Sequence, residues 1–178
     1  MTTSDPSLKQ RLVAALEQSD ASLRDERADR IVWMSSYNQR PGVIMDSAEA
    51  LGLLGEAEAA YREGHFISVT LLAQAFIEHE LVDELVRRKV ASYGDPLAKA
   101  LQLASAHQVL ADDLIDRIDQ LRLVRNPFAH LKKPDHAHTF GNRFRARKVH
   151  PKVVLQEDAQ EAFKVMYEVF RALLREAA

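Results

Sequence analysis

Apolar side chains recur at helical spacing along almost the whole of this 178-residue chain, which leaves a bundle of α-helices as the main way to bury them. Leu8, Leu12, Ala15 and Leu16 mark a helix from Pro6 to about Ser19. A second amphipathic stretch runs from about Ala21 to Tyr37 and ends before the Arg40–Pro41–Gly42 break. Asp46 or Ser47 suits an N-cap for a third helix, with Ala50, Leu51, Leu54, Ala57 and Tyr61 as its stripe and Gly64 as its stop. The longest helix is expected from about His65 to Ser92, closed by Gly94, with Phe66, Val69, Ala73, Phe76, Ile77, Leu81 and Leu85 on one face. Asp95–Pro96 reads as an N-cap and first-turn proline for a shorter helix reaching about His107. Another begins near Ala111 with Leu114, Ile118 and Leu121. The last spans about Gln156 to Glu176 and turns Ala159, Phe163, Met166, Phe170, Leu173 and Leu174 inward. One segment breaks the pattern. His138-Thr-Phe and Arg143-Phe-Arg flank Gly141–Asn142, a pairing that suits a short β-hairpin with a two-residue turn. The expected fold is an all-α, up-and-down bundle with extra N-terminal helices and a basic loop or short hairpin before the last helix.

No linker or repeat divides the chain, and its length suits one domain with a substantial core. With no cysteine, disulfides, thiolate metal sites and a cysteine nucleophile are excluded. The N-terminal MTTSDPSLKQRL lacks the apolar core of a secretory signal, and no apolar run is long enough for a membrane span. The expectation is a cytoplasmic protein that does not enter a membrane.

The net charge of −2 does not describe a general nucleic-acid binder, but its distribution is uneven. Between Leu131 and Lys152 stand seven cations (Lys132, Lys133, Arg143, Arg145, Arg147, Lys148 and Lys152) against the single acid Asp135. That segment carries +6, which leaves −8 on the rest of the chain. A cationic strap on an acidic body suits contact with a polyanion.

The strap follows Arg125–Asn126–Pro127–Phe128–Ala129–His130. Arg125 falls at the next i+4 position of the Leu114–Ile118–Leu121 stripe. Pro127 disfavours helical geometry at Asn126, so the helix is expected to break there, with Asn126 capping a new turn that carries His130. A fixed cation, a histidine and free helix N–H groups would then share one small volume, as phosphodiester binding requires. Metal-free RNA cleavage needs a base for the 2′-hydroxyl, positive charge for the phosphorane and an acid for the leaving oxygen. Histidine suits the proton transfers and arginine the charge. One motif supplies one histidine, and a two-fold dimer would supply two.

Arg125–Asn126 followed by His130 resembles the R-x4–6-H signature of HEPN domains, and the AFIEHEL segment two helices earlier fits the same context. The resemblance covers about Asp46 to the C-terminus, so the chain divides into a 1–45 N-terminal helical extension and a 46–178 HEPN-like bundle. It implies a helical bundle that homodimerises through the motif helices. It also implies a metal-independent endoribonuclease of toxin or defence type, with a protein or nucleotidyltransferase-type antitoxin as a possible partner. By the same resemblance Arg125 would hold the scissile phosphate, His130 would act as general base or acid and Asn126 would support the geometry. Glu78, on the facing helix, would orient Arg125 or His130. No cofactor is implied. The alternative is a HEPN-like module without catalysis that binds RNA, a nucleotide or a protein.

Other chemistries have less support. His130, Asp135, His136, His138 and His150 could suit zinc, but no matching pair at i, i+4 lies on a neighbouring helix. Phe140 and Phe144, interleaved with cations, suit either base stacking or anchoring of the segment to the bundle. Glu78-His79-Glu80 lacks the spacing of a metalloprotease motif, and Arg87-Arg88-Lys89 suits a helix C-terminus. No glycine-rich phosphate loop and no G-x-S-x-G elbow occurs.

Overall fold

The computed structural model describes residues 6–37 and 47–173, and within them every regular element is a helix. The order is α1 (Pro6–Ser35), α2 (Ala48–Glu63), α3 (Phe66–Arg87), α4 (Leu97–Ala106), α5 (Asp112–Ala129), α6 (Phe140–Arg147) and α7 (Pro151–Leu173). The stripes read from periodicity form the core: Leu54, Tyr61, Phe76, Ile77, Leu81, Leu85, Ile118, Phe163 and Met166 are all fully buried. Leu51 stands exposed beside its buried neighbours, and Leu8, Leu12, Ala15 and Leu16 of the first expected stripe are exposed too.

Several boundaries differ from the expectation. The two N-terminal helices are one, because nothing between Ser19 and Ala21 breaks a helix. The Arg40–Pro41–Gly42 break, Asp46 and Leu174 lie outside the described residues. Ser47 caps α2, its hydroxyl accepting from Ala50 N–H at 3.2 Å. α3 stops at Arg87, well before Gly94, where Lys89 turns into the left-handed region at φ 61°. Pro96, not Asp95, takes the N-cap of α4. The Asp95 carboxylate instead accepts from Ser92 N–H at 3.0 Å and pairs with Lys99 at 2.9 Å. The final helix begins at Pro151, more than a turn earlier than the spacing predicts.

Side-chain pairs set the directions. Gln160 Nε2 donates to the Tyr61 hydroxyl at 3.0 Å, and the Tyr167 hydroxyl donates to Glu58, so α2 and α7 run antiparallel. α3 returns alongside α7, with Phe76 against Phe170 at 6.3 Å between ring centres. α5 runs antiparallel to α7: Leu121 and Val124 share a small cavity with Asp158 and Glu161, while Arg117 reaches on to Glu168. α3 is the central element, packing most extensively on α7 and α2 and also on α5 and α4.

The end of α1 docks on this frame. Trp33 lies against Tyr61 and Phe163, with ring centres 4.9 and 5.7 Å apart, and Met34 is buried. Arg30 is only 7% exposed and donates from Nε to the Arg62 carbonyl at 2.8 Å. Gly64 closes α2 in the left-handed region at φ 81°, which suits glycine, and a Cβ there would make no more than ordinary contact with the Arg30 guanidinium at 3.4 Å. Residues 7–26 are exposed throughout. Since Glu26 pairs with Lys152 in the first turn of α7, the part of α1 before it extends past that end of the bundle.

Candidate nucleic-acid interface

The same end gathers the C-terminus of α5, the whole of α6 and the start of α7. α5 does not break at Asn126. It continues through Pro127 to Ala129, and His130 is its C-cap, donating its backbone N–H to the Asn126 carbonyl at 2.8 Å. Pro127 falls in the last turn, where it removes only the N–H that would serve the Leu123 carbonyl before the helix ends anyway. Asn126 is therefore helical rather than a cap, and no new helix N-terminus forms beside His130.

The hairpin is also replaced. Phe140–Arg147 is a helix, and Gly141 does not adopt the positive φ that a two-residue hairpin turn would need. Asn142 instead folds the preceding loop, donating from Nδ2 to the Pro134 carbonyl at 2.8 Å and the His136 carbonyl at 3.1 Å. Phe128, Phe140 and Phe144 form a chain of rings with centres 6.0 and 5.3 Å apart, tying α6 to the last turn of α5. Of the two roles open to Phe140 and Phe144, the structure supports anchoring.

Arg125 is half-buried and His130 is exposed, so neither is enclosed in the core. The Arg125 Nε atom is buried without a hydrogen-bond partner, and no carboxylate pairs with the guanidinium among the described residues. Leu131, immediately after His130, is fully exposed. Glu78 is not brought to this place. It lines a cavity with His79, Val82, Asp83, Tyr93 and Asp95, and neither Arg125 nor His130 lines that cavity.

The seven cations of the strap divide in two. Arg143 is clamped by Asp158, Arg147 pairs with Glu157, and Lys152 pairs with Glu26 at 3.0 Å. Hydrogen bonds from Lys152 and Arg30 hold the Glu26 carboxyl below its ordinary range. Lys132, Lys133, Arg145 and Lys148 have no carboxylate partner among the described residues. Lys133, Arg145 and Lys148 are exposed and Lys132 is half-exposed. Counting charge along the sequence missed the acids, Glu157 and Asp158 of α7 and Glu26 of α1, that neutralise three of the seven. Pro151 was the available signal for the first two: a proline suited to the first helical position places Glu157 and Asp158 on the second turn of a helix facing the strap.

Among the described residues, no group of three or more His, Asp or Glu side chains is placed to share a metal ion. His136 and His138 lie with ring centres 5.7 Å apart, and His136 Nδ1 accepts the His138 backbone N–H at 3.3 Å. No helix of the described residues is long and apolar enough to cross a membrane. No family model matches the chain, and neither a curated protein nor a solved structure gives a significant match.

Proposed function

We propose that this chain is a HEPN-like, metal-independent endoribonuclease of toxin or defence type, which acts as a homodimer and leaves a 2′,3′-cyclic phosphate. The observation that carries the reading is the state of Arg125. Its guanidinium is half-buried, lacks a carboxylate partner among the described residues and keeps a buried Nε unsatisfied, five residues before an exposed histidine. A guanidinium with no carboxylate partner is free to take a phosphate through its terminal nitrogens. Lys132, Lys133, Arg145 and Lys148 supply uncommitted positive charge along the same end.

In this reading Arg125 holds the scissile phosphate and stabilises its developing charge, while His130 exchanges the proton with the 2′-hydroxyl or the leaving oxygen. A second copy, packed over the exposed Leu131, would bring the second histidine. Asn126 acts through its carbonyl, which fixes the backbone of His130. Glu78 has no part in this arrangement. The test is digestion of RNA in EDTA with mapping of the new ends. Cyclic phosphate ends that disappear in Arg125→Ala and His130→Ala support the reading, and cleavage that needs a divalent ion overturns it.

The displacement of Glu78 favours a second reading, because His130 has no carboxylate to orient it among the described residues. A non-catalytic RNA-binding module would hold RNA through the four uncommitted cations and show no difference in RNA integrity between wild type and either variant.

A further inference from the structure

The first two thirds of α1 present an apolar stripe with nothing beneath it among the described residues. By helical periodicity, Leu8, Leu12, Ala15, Leu16, Ser19 and Leu23 lie on the face that carries Arg30, Trp33, Met34 and Tyr37 against the bundle. Leu12 is 55% exposed and Leu16 62% exposed. An isolated helix of this length is marginal in water, and most helices gain their stability by packing such a face.

We propose that this arm pairs antiparallel with the same arm of a second copy of the chain. Reversed about Ala14, Leu12 meets Leu16 of the partner subunit, and Lys9 comes within one residue of Asp20 of the partner subunit on the flank of the apolar face. The small Ala15 lets the two backbones approach at the centre. Asp20 remains available for this, since its contact within the chain is to Arg27 at 3.5 Å and Arg27 bonds Glu63 more closely at 2.7 Å. A polyanion is the poorer occupant, because residues 7–25 carry Lys9, Arg11 and Arg24 against Glu17, Asp20 and Asp25. Parallel pairing would set Lys9 against Lys9 and Asp20 against Asp20.

Glu26, where the arm joins the bundle, lies about 12 residues from the symmetry point, so the two bundle ends would face each other about 35 Å apart. The arm contact is therefore separate from any contact made through α5, and it holds two copies of the cationic end pointing into one gap.

Sedimentation equilibrium of the full chain at micromolar to submillimolar concentration tests the pairing. Leu12→Glu with Leu16→Glu weakens association about tenfold or more, and single Lys9→Glu or Asp20→Lys variants weaken it less. The Lys9→Glu/Asp20→Lys double variant restores it. A wild type monomeric at every concentration overturns the proposal. So does association insensitive to the leucine substitutions, or a double variant no better than the singles. These side chains are exposed, and circular dichroism checks that the bundle stays folded.

Discussion

Arg143 holds Asp158 through two parallel hydrogen bonds, Nη1 donating to Oδ2 at 2.8 Å and Nη2 to Oδ1, with both side chains largely shielded from solvent. This pair fastens α6 to α7, while the ring chain from Phe128 through Phe140 fastens α6 to α5. Arg143 is thus a structural cation within the strap. Asp158→Ala leaves it partly buried and unpaired, which should cost about 2–3 kcal/mol. Arg143→Ala should cost a similar amount in chemical denaturation. If both variants unfold like wild type, α6 is not held by this pair.

The cations should also separate by their effect on RNA binding. Replacing Lys132, Lys133, Arg145 or Lys148 with alanine is expected to lower the slope of log K against log salt by about 0.7 for each phosphate of single-stranded RNA that the protein then leaves unneutralised. Lys152→Ala should change it less, because Glu26 already neutralises that lysine. Equal slopes for the paired and unpaired cations would argue against this division.

Pro127 gives a prediction whose sign depends on the helix. In a continuous α5, Pro127→Ala restores an N–H for the Leu123 carbonyl and should stabilise the fold by about 1 kcal/mol. Were Pro127 the first residue of a new turn after a break, the same change would be neutral or destabilising. Thermal or urea unfolding of the variant reads the sign directly.

The junction of α1 with the bundle should weaken in acid. Lys152 and Arg30 hold Glu26 below its ordinary pKa of 4.5, so its contribution is present above that value and is lost as pH falls through the folded-state pKa. Asp95, lowered from 3.8 by Lys99 and the Ser92 N–H, acts with the same sign. Glu26→Gln should therefore lower the melting temperature at neutral pH, with the difference from wild type shrinking well below pH 4.5. A difference that persists unchanged in acid would show that the charge on Glu26 is not its source.

Arg125→Ala and His130→Ala should each cut RNA cleavage by about 10²-fold or more while leaving the melting temperature nearly unchanged. Neither side chain makes a hydrogen bond or ion pair within the described residues, so the fold loses little with either. A large loss of stability in either variant would mark the residue as structural.

The helices and their inward faces were legible in the sequence because burying one side of a helix leaves a 3.6-residue period in the order of its residues. Phe66 to Leu85 and Ala159 to Phe170 are the clearest cases, each buried along the expected face. The junctions were not legible, because they turn on partners distant in the chain. Gly141–Asn142 could form a turn on local preference, yet the Pro134 and His136 carbonyls and the Phe128 ring draw the segment into a helix. Asn126–Pro127 could break a helix, yet the last turn tolerates one missing N–H. The cationic strap could be counted from sequence, but only the packing of α6 on α7 decided which of its arginines remain free, since ion pairing depends on distance in space rather than along the chain.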